Sequence, residues 1–231
     1  ERMTFSSNES MKIAIDGPSG AGKSYLAKAL AAHFGYIHVD TGALYRTLGL
    51  YAQRQGIAIT QVADICDHLE KISVSLAFTE EGQRVFLCGE DVTDFIRTPE
   101  ISMYASAVSA VPAVRAYLLE TQRSIARSHS VIMDGRDIGT VILPDAEVKI
   151  FLVADNRARA ERRCAELREK GIETSVEEVL ADMNVRDEND RTRTTAPAVA
   201  AGDAIVLDNS LLTREETLAA AIGIIEGKSA K

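Results

Sequence analysis

Between an apolar segment, Lys12–Asp16, and a helix-like one, Lys23–Phe34, the chain reads Gly-Pro-Ser-Gly-Ala-Gly-Lys-Ser over residues 17–24. This run fits G-x-x-x-x-G-K-[ST] without a gap, with a strand expected to enter it and a helix to leave it. Glycines let the backbone curl until successive N–H groups converge, and the helix N-terminus adds the positive end of its dipole. Gly17, Pro18, Ser19, Gly20, Ala21, Gly22, Lys23 and Ser24 therefore form a cradle for the phosphate tail of a nucleoside triphosphate. Lys23 is placed to neutralise the β- and γ-phosphates, and Ser24 to set its hydroxyl on Mg²⁺, its one protein metal contact.

The strand ahead of the loop has companions. Residues 36–40, 130–134, Val148–Val153 and 204–207 are short apolar runs that read as strands buried on both faces. With helical sequence between them they predict an α/β fold with a five-stranded parallel sheet and helices on both faces. Three of the strands end in aspartate (Asp16, Asp40 and Asp134), and chemistry gathers at the carboxyl ends of such strands. A helix is expected over about 43–55, and residues 100–127 read as helix broken at Pro112. Between them, 72–78 alternates with period two, turns at Glu80-Glu-Gly82 and continues more weakly over 84–88, which is a β-hairpin signal.

Composition narrows the setting. A length of 231 residues suffices for one core plus small subdomains. A net charge of −8 argues against a nucleic-acid partner, although clustering of the basic residues weakens that argument. Cys66, Cys88 and Cys164 include no CxxC pair, so reduced thiols in a cytoplasmic protein are expected. His33, His38, His68 and His129 show no ligand spacing and read as structural or surface residues. No apolar run approaches the roughly 18–20 residues of a membrane span. Residues 1–10 are polar and read as a disordered leader or tag remnant.

The loop alone fits kinases, regulatory GTPases and motor ATPases alike. A GTPase would need a guanine-reading N-K-x-D sequence, and none occurs. Arginines favour a kinase, because transfer between two phosphorylated molecules gathers many anionic oxygens. Arg159, Arg162 and Arg163 stand at i, i+3 and i+4, and Arg186, Asp190 and Arg193 at i, i+4 and i+7, each set on one helix face. Like charges so packed destabilise a helix unless an anion relieves them, though each stretch alone could be a solvated face. Asp40-Thr-Gly-Ala-Leu-Tyr-Arg46 closes the second strand, and Asp134-Gly-Arg-Asp-Ile-Gly139 the third. Either could be a plain turn, or could present Arg46 and Arg136 to a second phosphate while Asp134 orients a Mg²⁺-bound water.

With these blocks in hand, the chain resembles the bacterial cytidylate kinases, CMP/dCMP kinases of the P-loop nucleoside monophosphate kinase group. The resemblance runs from Met11 to about Leu212 and adds R-T-P-E-I-S, V-P-A-V-R, R-A-E-R-R and R-D-E-N-D-R-x-R to the blocks above. It implies one P-loop kinase domain over 11–231. The core would be 11–41, 130–154 and 172–231, with a monophosphate-binding insertion at 42–129 containing a small antiparallel β lobe, and a lid at 155–171. ATP would be the donor, with Mg²⁺, and CMP or dCMP the acceptor, in a monomer. Thr41, Tyr45, Arg46, Ser106 and Arg115 would bind the monophosphate together with Arg136, Asp137, Arg186, Asp190 and Arg193. Ser106, Asp190 and an arginine at 186 or 193 would lie near base or sugar. Lys23, Arg136, Arg159 and Arg163 would be catalytic, with Arg159, Arg162 and Arg163 on the lid. A kinase for UMP or a non-nucleotide metabolite, and a regulatory protein that hydrolyses or senses ATP, remain the alternatives.

Overall fold

The computed structural model describes residues 10–229, so the leader expected over 1–10 lies outside the described residues except for Ser10. Five parallel strands form the central sheet: β1 (Lys12–Asp16), β2 (Ile37–Asp40), β6 (Val131–Gly135), β7 (Val148–Val153) and β8 (Ile205–Asp208), in the order β2-β6-β1-β7-β8. Ile13, Ile15, Ile132 and Leu152 are completely buried, and each such side chain contributes about 1.5–3 kcal/mol. One correction concerns the last strand. Expected to be covered on both faces, β8 is instead an edge with alternating exposure, and Val206 is 59% accessible.

Helices α1 (Lys23–Phe34) and α7 (Arg214–Ser229) share one apolar core with β1 and β7. On the other face, Val39, Val131 and Met133 pack with Ala126 of α4 (Pro112–Ser128) and with Ile138 and Ile142. The insertion has a separate core, from α2 (Thr41–Arg54), a 3₁₀ stretch Ile59–Lys71, α3 (Pro99–Ser109) and α4. Its hairpin, β3 (Val74–Thr79) with β4 (Gly82–Leu87), gains a short third strand β5 (Glu90–Asp91) that periodicity could not reveal in two residues. The helix expected from 43 starts two residues earlier, because the Asp40 carboxylate accepts from the Ala43 N–H and caps it. The helical stretch read over 100–127 is broken at Pro112 as expected: α3 ends at Ser109, and Pro112 opens α4 at a position where no N–H is needed.

Helix α5 (Asn156–Glu169) packs on α6 (Val176–Thr192) through a fourth small core of Ala160, Cys164, Leu167, Val179 and Met183. The arginine-rich 155–171 segment is thereby joined to the first half of α6. Among the described residues no helix is long and apolar enough to cross a membrane. Cys66, Cys88 and Cys164 are all free thiols, the last one buried.

Candidate active site

Parallel register brings the strand ends level. Asp40 lies opposite Asp134, and Asp16 opposite Gly135. The loop leaves β1 at this edge. Gly17 has a φ of 146°, and a Cβ there would collide with the Leu152 carbonyl, so the backbone can run against β7 only as glycine. Asp16 is buried and accepts from the Ile138 and Gly139 N–H groups, both at 2.8 Å, tying the loop's base to the segment after β6. Burial pushes its pKa up to about 6.

Lys23 is 6% exposed, and its ammonium donates to the Pro18 carbonyl at 2.6 Å. Burial, and secondarily the charge of Arg136, pushes its pKa down to about 7. A buried cation so destabilised is a strong acceptor of negative charge. Ser24 donates its hydroxyl to one Asp134 oxygen at 2.6 Å, while the other oxygen lies 2.7 Å from His38 Nε2. His38 does not line the cavity but braces this site carboxylate from behind, in keeping with its reading as a structural residue. Burial would lower its pKa, but the hydrogen bond and charge of Asp134 outweigh this and raise it.

A cavity of about 570 Å³ opens beside the loop, within the range for small-molecule sites. Thr41, Tyr45, Arg46, Ser106 and Arg115 line it, as do Arg136, Asp137, Arg186, Asp190 and Arg193. All ten residues expected on the acceptor side thus face one space, from α2, α3, α4, α6 and the segment after β6. Carboxylates hold the arginines in place. Asp40 takes Arg46 at 2.7 Å and Arg97 at 3.2 Å, and Asp190 takes Arg136 at 3.1 Å and Arg193 at 3.6 Å. Buried Asp137 bonds Arg115 and lies 3.7 Å from Arg193.

The guanidiniums nevertheless outnumber these carboxylates. Burial, with neighbouring arginines, lowers the pKa of Arg46 and Arg193, and that of Arg186 to about 10. The Arg46 and Arg186 Nε and one Arg193 Nη are buried with no hydrogen-bond partner among the described residues. Such donors cost free energy until an acceptor meets them, and an anion would meet several together. Asp40 responds in the opposite sense: burial would raise its pKa, but Arg46 and Arg97 hold it at about 2.

The expected lid arginines divide. Arg162 and Arg163 line the cavity, but Arg159 does not. It is 3% exposed and turned beneath the loop, where it donates to the Ser19 carbonyl at 2.5 Å and to Asp187 at 2.6 Å. These bonds direct its charge at loop backbone instead of the cavity. Of the loop itself, Ser19, Gly20, Gly22, Lys23 and Ser24 face the cavity. Gly17, Pro18 and Ala21 shape the turn from behind.

Sequence reasoning missed Asp187, Arg97 and Asn209. Asn209, 5% exposed after β8, donates to the Ala21 carbonyl at 3.0 Å and lies 3.3 Å from Arg162. Arg97 is 52% exposed, lines the cavity and stands in the R-T-P-E-I-S block, so its sequence signal was present. Asp187 lay in a run of charges that gave it no mark of its own.

The cytidylate kinase family model matches residues 13–227. A cytidylate kinase of Caldicellulosiruptor saccharolyticus is 50% identical over 208 residues, covering 90% of this chain and 92% of its own. One from Desulfitobacterium hafniense is 45% identical over 220 residues, with 95% and 94% covered. A solved structure of an uncharacterized protein from Eubacterium ventriosum, 16% identical, aligns with a TM-score of 0.50 over 96% of this chain and all of that one, a likeness of fold alone. Matched by the family model over residues 13–227 and up to 50% identical to cytidylate kinases across nine-tenths of its length, the chain belongs to the cytidylate kinase family.

Proposed function

We propose that this site transfers the terminal phosphoryl group of ATP to CMP and dCMP, giving ADP and the corresponding diphosphate. The observation that carries the reading is the meeting, in one cavity, of Lys23 on the donor loop with Arg46, Arg136 and Arg186. An oxygen of the acceptor's phosphate forms the new bond to the γ-phosphorus, and the bond from that phosphorus to the β–γ bridging oxygen breaks. The attacking oxygen is already anionic, so no covalent enzyme intermediate is required. The residues position two polyanions and neutralise the charge that moves between them.

Roles follow from placement. Loop N–H groups and Lys23 hold the donor's phosphates, while Arg46, Arg136 and Arg186 take the acceptor's phosphate with the donors they have to spare. Asp190, fixed by Arg136 and Arg193 and 3.4 Å from the Ser106 hydroxyl, offers a carboxylate to the cytosine amino group. Uracil carries a carbonyl at that position, which a carboxylate repels. Arg162 and Arg163 serve the lid function for residues 155–171, closing over the transferring group and excluding water.

Ser24 and Asp134 suit Mg²⁺. They are hard oxygen donors 2.6 Å apart beside Lys23, too few to hold the ion unaided, so phosphate oxygens and waters would complete its shell. When bound, the ion neutralises phosphate charge and fixes the donor's geometry. Release of ADP measured by a coupled assay over CMP, dCMP, UMP and no acceptor tests the reading. Turnover with CMP and dCMP should exceed that with UMP, and all three should exceed the blank. Equal turnover without acceptor would identify a hydrolase or sensor instead.

A further inference from the structure

Phosphoryl transfer as described leaves without a task the ion pair between buried Arg159 and half-buried Asp187. Its partners are specific. The Ser19 N–H donates to one Asp187 oxygen at 2.9 Å, and the Ser19 carbonyl accepts from Arg159 Nη1 at 2.5 Å. The same Nη1 donates to the other Asp187 oxygen at 2.6 Å, which closes a ring through both backbone polar groups of Ser19. Arg159 has little left for any ligand: its Nη2 donates to Asn156 at 2.6 Å and its Nε to the Ala154 carbonyl at 3.2 Å.

We propose that Arg159 and Asp187 are positioning residues that clamp the Ser19 backbone and hold the phosphate loop in register with α5 and α6. The proposal rests on the phosphoryl-transfer reading of the site. Three further observations support it. Gly20, with φ of 70°, sits so close to both helices that a Cβ would lie 2.7 Å from Met183 Cε and 3.3 Å from the Arg159 carbonyl oxygen. Pro18, just before the clamped residue, has no N–H of its own and a restricted φ, so fixing Ser19 fixes the loop's leading half. Asp187 follows Arg186 and lies one helical turn before Asp190, both cavity residues, so the clamp ties the donor loop to the helix that reads the acceptor.

A general role in stability would be redundant. Helices α5 and α6 are already joined by the apolar core of Ala160, Cys164, Leu167, Val179 and Met183. Loss of the clamp should therefore free the loop while the helices remain packed. Its effect then falls on donor binding, because loop N–H groups that must reorganise to meet phosphates bind them less tightly.

Calorimetric titration of the full chain with ADP, and separately with CMP, tests this. Asp187→Ala should weaken ADP binding about tenfold or more, as expected when a charge-assisted bond to backbone is removed, while CMP affinity moves less than about threefold. Asp187→Asn, which keeps an acceptor for the Ser19 N–H but loses the charge pairing, should fall between and covers the case in which the alanine variant does not fold. Arg159→Lys should bind ADP better than Arg159→Ala, and Asp187→Ala/Arg159→Ala no worse than Asp187→Ala alone, because the two act as one unit. Wild-type ADP affinity in Asp187→Ala and Asp187→Asn, or equal weakening of ADP and CMP, would overturn the proposal. Wild-type protein that binds ADP but not CMP would instead overturn the acceptor reading, leaving the clamp to be judged on the ADP series.

Discussion

Replacing Lys23 by methionine should lower kcat by about a hundredfold or more, the scale seen when one preorganised charge donor is taken from a transition state. The side chain is buried, and among the described residues its ammonium has only the Pro18 carbonyl as a close hydrogen-bond acceptor. Its charge is thus poorly solvated before phosphate arrives and well used afterwards. The same substitution should not weaken the fold. Lys23 has a folded pKa of about 7, below its ordinary 10.5. As pH falls from 10.5 toward 7 the unfolded chain takes up this proton before the folded one does, so the lysine disfavours folding increasingly over that window and by a constant amount below it. Thermal melts should therefore show Lys23→Met at least as stable as wild type at pH 7, with its advantage shrinking as pH approaches 10. Loss of activity accompanied by a lower melting temperature at pH 7 would show that Lys23 supports the fold instead.

Arg193→Met should raise the KM for CMP or lower kcat by at least about tenfold, with ATP affinity little changed. Arg193 is anchored from several sides: its Nε donates to the Ala196 carbonyl at 2.7 Å and its Nη1 to the Ser109 hydroxyl at 2.9 Å. It lies between two buried carboxylates, 3.6 Å from Asp190 and 3.7 Å from Asp137. Methionine preserves much of the packing volume but leaves both carboxylates with less compensation, so the acceptor end of the cavity loses a donor and its charge balance together. Steady-state kinetics with CMP varied at saturating ATP, and then the reverse, separates the two substrates. Near-normal constants on both axes would remove Arg193 from the acceptor site.

Much of this architecture was legible because local signals and long-range demands coincide. The loop, its strand and its helix are contiguous, so one stretch of sequence holds the whole device. Arg186 and Asp190 share a face of α6, Arg193 follows directly on its last residue, and all three meet the cavity. The same rule fails for Arg159, Arg162 and Arg163. Their shared arc of α5 says where the side chains start, but Arg159 ends beneath the loop through contacts to Ser19 and Asp187, distant in sequence. Asp187 sits beside Glu188, whose bonds to Arg191 are exposed, and composition does not separate a clamp from a solvated pair. His38 reaches Asp134 only because β2 and β6 pair in a register that sets Asp40 opposite Asp134. Strand register is a tertiary fact, and no spacing within β2 announces it.

The most direct test follows the phosphorus itself. With ATP labelled at the γ-phosphate and CMP present, the label should appear in CDP while inorganic phosphate stays at the level of a blank without enzyme. Label released into inorganic phosphate at the same rate with and without CMP, and none in CDP, would contradict the assignment of this cavity to phosphoryl transfer between nucleotides.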